Sequence, residues 1–366
     1  MGVIQFPVGP LIDDEHKATL LDHKADRRRM LRGGVALGAA AATLTGVSGL
    51  VTAQETPTPG PPGASVGSDP HSESTGHASP APVGKPEWKV YDPRLKAVQP
   101  GEKKIELTAR DVVTYLAKDV PYGGWSFDGT IPGPALRVRQ GDKIDFEFEV
   151  DPKAATAHSV DFHAAQTPPD KNYKTIMPGQ KFSWSFTPNH PGAFLYHCGT
   201  PPVLMHIGTG MYGAMIVDPK EGWPPAQELI FIQSDFYLKD SGNGIMVADY
   251  TKMLGNGNMD YVTFNGYANQ YVENPISVKV GQPIRIFVVN AGPNVWASFH
   301  VVGAIFDKGY FNANPKNALE GLQSMPIGPG DGACVEFTLA EPGLYTAVNH
   351  SFGHAAHGAI AVLKAS

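Results

Sequence analysis

Three segments of this 366-residue chain occur twice, in the same order. Trp125-Ser126-Phe127-Asp128-Gly129 resembles Val262-Thr263-Phe264-Asn265-Gly266, and Arg137-Val138-Arg139-Gln140-Gly141-Asp142-Lys143-Ile144 resembles Ser277-Val278-Lys279-Val280-Gly281-Gln282-Pro283-Ile284. Phe186-Thr187-Pro188-Asn189-His190-Pro191-Gly192-Ala193-Phe194 then resembles Phe337-Thr338-Leu339-Ala340-Glu341-Pro342-Gly343-Leu344-Tyr345. Ordered repetition on this scale means two copies of one unit. The unit is β: residues 104–109, 135–139 and 143–150 alternate apolar and polar, and Asp128-Gly129, Pro132-Gly133 and Gln140-Gly141-Asp142 supply turns between them. Gly (41) and Pro (33) are abundant, as many short strands require, and 42% hydrophobic with 17% charged residues excludes a coiled coil or a disordered chain. The expectation is an all-β chain of two tandem Greek-key sandwich or barrel domains, 87–220 and 221–366, meeting near Pro219–Ala226.

The segment ahead of the repeats is of another kind. Asp26-Arg27-Arg28-Arg29-Met30-Leu31-Arg32 precedes a mildly apolar, Ala/Gly-rich run to Ala53, so residues 1–53 read as a twin-arginine-type export signal. The expected location is therefore periplasmic or otherwise extracytoplasmic; the competing reading of the same run is a membrane tether. Residues 54–86 are rich in Pro, Ser, Gly and Thr and read as a linker, with His71 and His77 as solvated polar residues. The net charge of −6 argues against nucleic acid as a partner.

Chemistry concentrates in one stretch. Cys198, His206 and Met211 are spaced C-x7-H-x4-M, a thiolate, an imidazole and a thioether of the kind that suits copper. A blue-copper site needs a second histidine as well. His158 and His163 lie five residues apart, and His197 adjoins Cys198, so in extended chain each pair points to opposite faces. One member of each pair can face one metal and the other a second. His158, Cys198, His206 and Met211 then form one set, while His163 and His197 begin an all-imidazole set whose third member, by repeat position, is His350. Cys334 sits in an alternating strand pattern and reads as a small buried hydrophobe. His190 lies in a turn and reads as structural, and His354 and His357 read as hydrogen-bonding or surface groups.

His158-Ser-Val-Asp161-Phe-His163, Tyr196-His197-Cys198, Gly210-Met211-Tyr212-Gly213 and Val348-Asn349-His350 together resemble the copper-containing nitrite reductases of the two-domain cupredoxin type, over residues 121–363. The resemblance implies two cupredoxin domains and a homotrimer, with two coppers per chain. The type 1 copper would be held by His158, Cys198, His206 and Met211. The type 2 copper would be held by His163 and His197 of one subunit and His350 of its neighbour. It implies reduction of nitrite by one electron and two protons to nitric oxide and water, as in denitrification or nitrate assimilation. The electron would arrive from a small cupredoxin or a c-type cytochrome and cross the Cys198–His197 peptide link. Asp161 and His300 match the catalytic carboxylate and histidine of the family, and Val302 matches the apolar residue over the substrate pocket. The loop between Cys198 and His206 is one residue shorter than in many members.

Two rival functions make different demands. A laccase-like multicopper oxidase calls for His-x-His pairs and histidines on both sides of the cysteine, whereas Cys198 is followed by Gly199. A non-enzymatic copper electron carrier would need only the first set and would leave His163, His197 and His350 without a purpose.

Overall fold

The computed structural model describes residues 86–366, apart from 99, 256 and 257. The expected export signal (1–53) and nearly all of the expected linker (54–86), with His71 and His77, lie outside the described residues. The strands of the first copy are β1 (Lys103–Ala117), β2 (Val120–Phe127), β3 (Leu136–Arg139), β4 (Ile144–Val150), β5 (Asp161–Phe162), β6 (Lys181–Phe186), β7 (Gly192–His197) and β8 (Tyr212–Asp218). The second copy opens with β9 (Gln227–Phe236), β10 (Leu238–Asp240), β11 (Met246–Ala248), β12 (Tyr261–Phe264), β13 (Asn274–Val278), β14 (Pro283–Gly292) and β15 (Ala297–Val301). It closes with β16 (Phe306–Phe311), β17 (Ala318–Leu322), β18 (Met325–Ile327), β19 (Gly332–Thr338), β20 (Gly343–Asn349) and β21 (Ile360–Ala365). Among the described residues the helices are short, and none is long and apolar enough to cross a membrane.

The repetition seen in sequence is a repetition of pairing. β1 runs parallel to β4 and antiparallel to β2, as β9 does with β14 and β12. β4 pairs antiparallel with β6, as β14 does with β19. In the facing sheets β3–β8 and β13–β21 are parallel, while β7–β8 and β20–β21, then β5–β7 and β15–β20, are antiparallel. Each copy is thus two packed sheets, the all-β sandwich that the turn-rich repeats predict. The matched turns also share a conformation: Asp128-Gly129 and Asn265-Gly266 both take two successive positive φ angles (56° and 80°, 57° and 81°). This is the tight-turn geometry that favours Asn or Asp followed by Gly.

Local pattern explains most strands. In β4, Ile144, Phe146, Phe148 and Val150 are buried, and Asp145, Glu147 and Glu149 between them are half-exposed. β14 and β19 differ, being buried on both faces. Ile286, Val288, Ala333 and Val335 fill the core of the second copy. Phe287, Val289 and Cys334 face the other way, against Ala193, Leu195, Tyr212 and Ile216 of the first copy. Cys334 is accordingly a buried free thiol packed between the copies. The β10–β11 hairpin also leaves its own copy, because β11 pairs in parallel with β2 of the first.

A charged network spans the same contact. Arg137 on β3 bonds Asp218 at 3.0 Å and Glu228 at 2.6 Å. Arg285 on β14 reaches Glu228 at 2.9 Å and Glu336 at 2.7 Å, with Trp223 stacked on its guanidinium at 4.7 Å. Every ion in it has an opposite partner, which is what allows Arg285 to lie almost fully buried.

Candidate metal centres

Three of the expected ligands meet at the end of the first sandwich. His158 pairs with Ile176 in an isolated β-bridge, Cys198 directly follows β7, and His206 lies in the short helix Val203–Thr209. The Cys198 Sγ is 3.2 Å from His206 Nδ1 and 3.8 Å from His158 Nδ1, and the two Nδ1 atoms are 3.2 Å apart. All three residues are completely buried. Met211 is buried in the same core cluster, and its carbonyl accepts the Cys198 N–H at 3.1 Å. Helix and methionine are joined by Gly210 at φ 126°, where a Cβ would lie 2.5 Å from Ile131 and 2.7 Å from the Trp125 carbonyl. Only glycine allows that close turn.

Burial decides the ionisation of this cluster. It pushes His158 down to about 3, helped by the neighbouring His206, and pushes the Cys198 thiol up against hydrogen bonds from Thr200 and Ser159. The His158 imidazole is therefore neutral, with a lone pair available. Two ring nitrogens and a sulfur converging within 4.8 Å in a dry pocket form a donor set that a soft cation completes and that protein groups alone do not. His158 Nε2 is buried with no hydrogen-bond partner, so only its Nδ1 face is engaged.

His197 turns the other way. Its Nδ1 donates to the carbonyl of Cys198 at 2.9 Å, which leaves the Nε2 lone pair facing His163 Nε2 at 3.1 Å. A second-sphere hydrogen bond of this kind fixes the tautomer of a ligating imidazole. Asp161 Oδ2 lies 3.8 Å from His197 Nε2, and the donor atoms of Asp161, His163 and His197 all fall within 4.8 Å of one another. Burial lowers the pKa of His197, against the opposing hydrogen bond to the Cys198 carbonyl, so the neutral imidazole is favoured. His163 is exposed, and the cluster opens to the surface.

His300 and His350 form a separate pair. Their rings stack edge to face at 5.3 Å, and His350 also packs on Phe352 at 4.6 Å. They are not among the groups that converge with His163 and His197 in one chain. Phe352, which packs on His350, is 55% exposed, and Trp296 (62%), Val302 (48%) and Ile305 (60%) are other exposed apolar side chains of the second copy. His190 and His357 are exposed and His354 is half-buried. His357 Nδ1 donates to the Asp260 carbonyl, and His354 Nδ1 meets the Asn349 amide.

The sequence did not single out several residues that the structure places at these clusters. Trp125 packs on both His206 (4.7 Å) and His158 (5.4 Å). Its signal was the one non-conservative difference in the first repeated segment, Trp125 against Val262, beside the milder Ser126/Thr263 and Asp128/Asn265. Ser159 sends its backbone N–H to Cys198 Sγ at 3.4 Å, and its Oγ accepts from Gly199 N and Thr200 Oγ1, each at 3.1 Å. Tyr173, whose hydroxyl donates to the Phe162 carbonyl at 3.1 Å, is pushed up by burial and by the adjacent Asp161 carboxylate. Neither Thr200 nor Tyr173 carries a periodic or motif signal.

Comparison with known proteins agrees with this geometry. A family model described as multicopper oxidase matches residues 110–222. A copper-containing nitrite reductase of Neisseria meningitidis serogroup A is 37% identical over 278 residues, covering 74% of this chain and 72% of that protein. The solved copper nitrite reductase of Nitrosomonas europaea superposes with a TM-score of 0.68 at 37% identity, over 72% of this chain and 94% of that one. A Cu-containing nitrite reductase of Thermus scotoductus SA-01 follows at TM-score 0.67 and 33% identity, over 73% of this chain and 62% of that one.

Proposed function

This chain belongs to the copper-containing nitrite reductases, and from that membership we propose that it reduces nitrite with one electron and two protons to nitric oxide and water, by the following division of labour. His158, Cys198, His206 and Met211 hold the type 1 copper, and His163 and His197 with His350 of a neighbouring subunit hold the type 2 copper. When bound, the first metal supplies a one-electron store and the second a Lewis acid with an open position for nitrite. Cys198 and His197 join the two centres through one peptide link. Asp161, beside His197, holds and delivers a proton at its carboxylate oxygen, and His300 does so at the ring that stacks on His350. Val302 covers the pocket from the neighbouring side.

The observation that carries this reading is the back-to-back arrangement at residues 197 and 198. One buried cluster with sulfur and one open cluster of two imidazoles and a carboxylate lie on opposite faces of a single strand end. A homotrimer accounts for the rest: His163 and His350 are both exposed within one chain, and His350 packs on the exposed Phe352, which a second subunit would cover. A small cupredoxin or c-type cytochrome is the proposed donor, and the basic, apolar leader supports an exported, periplasmic or otherwise extracytoplasmic enzyme of denitrification, tethered if the leader is retained.

The test is nitric oxide production from nitrite with a reduced donor, together with copper counting. Two coppers per chain are expected; one would favour a carrier and four an oxidase. His163→Ala should remove the second copper and the activity while the thiolate-to-copper absorption persists. Retained activity in His163→Ala sinks the assignment of the second centre.

A further inference from the structure

Resting on the reading of His300 and His350 above, we propose that Asn349 is a positioning residue that sets the distance and orientation between these two imidazoles. Asn349 ends β20, immediately before His350, and is completely buried. Its Oδ1 accepts two backbone N–H groups, that of Ser298 at 3.1 Å and that of Ser351 at 3.1 Å. Ser298 lies on β15 two residues before His300, and Ser351 directly follows His350. A third bond, from His350 N to the Ser298 carbonyl at 2.7 Å, closes the same junction. One carbonyl oxygen therefore clamps the two backbone segments that carry the two rings.

The amide nitrogen anchors the clamp from behind. Asn349 Nδ2 donates to Gln233 Oε1 at 2.9 Å and to the Trp296 carbonyl at 3.0 Å, and it meets His354 Nδ1 at 3.1 Å. Gln233 Nε2 passes the chain on to Asn290 Oδ1 at 3.4 Å, and Asn290 Nδ2 ends it on the carbonyls of Val295 (2.8 Å) and Ile327 (3.0 Å). All three side chains are fully buried. A row of primary amides in an apolar core costs desolvation at every member and gains little net stability over hydrophobic packing. What a fully satisfied network adds is a single defined geometry. Here that geometry is delivered to the strand end and turn bearing His300 and His350. The clamp acts through acceptor oxygen Oδ1, and the donor side is its support.

Three variants of the full-length holoenzyme separate this role from core packing. Asn349→Leu removes both acceptor bonds. The expected result is copper binding weakened about 10–100-fold at the type 2 centre, with an altered type 2 hyperfine splitting in electron paramagnetic resonance and an unchanged type 1 absorption band. Asn349→Asp keeps an oxygen for Ser298 and Ser351 while losing the donor bonds. It should melt lower yet show the native type 2 signal, and it carries the test if Asn349→Leu does not fold. Gln233→Leu cuts the support and leaves the clamp, so it should lower the melting temperature without shifting the type 2 signal. A native type 2 affinity and spectrum in folded Asn349→Leu overturns the proposal. So does a shifted signal in Asn349→Asp, or one in Gln233→Leu as large as in Asn349→Leu. His350→Ala keeps the two levels apart: if it retains the type 2 copper, the ligand assignment itself fails and takes the clamp with it.

Discussion

Ser159→Ala removes one oxygen from beneath the first centre, and its cost can be worked from the contacts. Ser159 is fully buried, and its Oγ accepts from Gly199 N and Thr200 Oγ1, each at 3.1 Å. Thr200 has a second hydroxyl partner, Thr175 Oγ1 at 3.0 Å, and can turn to it. The Gly199 N–H, on a half-buried residue, loses its acceptor; a fully buried orphan donor costs about 1–3 kcal/mol, and partial access to water puts this one at the low end. Taking roughly 1 kcal/mol, and 2–4 °C per kcal/mol for a domain of about 150–250 residues, the melting temperature should fall by about 2–4 °C. The sulfur itself should change little. Its main donor, the Ser159 backbone N–H at 3.4 Å, survives, while the hydroxyl stands 4.0 Å away. No more than a small shift of the type 1 midpoint potential is expected. The assay is a thermal melt of the copper-free and copper-loaded proteins with a spectroelectrochemical titration of the loaded one. A melt within about 1 °C of the parent would show that Gly199 N does not depend on this oxygen, and the reasoning fails.

Two further outcomes follow from buried charge. Glu228→Ala strips a shared partner from Arg137 and Arg285, whose side chains are 9% and 2% exposed. Breaking a buried pair costs about 3–5 kcal/mol, and since Asp218 and Glu336 remain as partners the loss should be roughly 2–3 kcal/mol in denaturant unfolding, with Glu228→Gln recovering part. A loss under about 1 kcal/mol would show that the network contributes little to joining the copies. Asp235 is pushed up to about 6 by burial, against hydrogen bonds from Tyr237 and from the backbone of Asn294 and Val295. Its folded form binds the proton more tightly than the unfolded chain, so its contribution is fully present below about pH 4 and is lost as pH rises through about 6, on the order of 3 kcal/mol. Unfolding free energy measured from pH 4 to 7 should show this falling component, and Asp235→Asn should flatten it. An unaltered slope in Asp235→Asn assigns the effect elsewhere.

How much of this was legible depended on whether the signal was local. The repeat, the alternation of β4 and the Asp128-Gly129 turn are properties of short segments, and the structure returns each of them. The opposite faces of His197 and Cys198 also follow from adjacency at a strand end. His158 and His163 reach opposite faces by a different route from one extended strand. Only Asp161 and Phe162 between them are paired as strand, and His158 is held by its own bridge to Ile176. The alternation around Cys334 suggested one buried face, but the far face of β19 is covered by the first copy, a contact that no window of sequence contains. The parallel pairing of β11 with β2, the packing of Trp125 on two histidines and the Asn349 clamp are likewise products of tertiary contact.

The polarity of the two centres rests on the core beneath β7. Ala193 and Leu195 face the contact with the second copy, whereas Tyr196 and Cys198 face the core of the first sandwich. The ladder fixes this register, with Asp161 opposite His197 on one side and Tyr212 opposite His197 on the other. A slip of one residue would exchange the faces of every side chain on the strand. It would carry the Cys198 sulfur toward His163 and the His197 ring toward His206, and it would drive Tyr196 into the space of Leu195. The bulk of Tyr196, whose hydroxyl donates to the Pro134 carbonyl at 2.7 Å, blocks that slip. The arrangement that keeps a sulfur donor in the buried cluster and an imidazole in the open one is therefore enforced by the residues that lead directly into the donors, with Ala193 and Leu195 on one face and Tyr196 on the other.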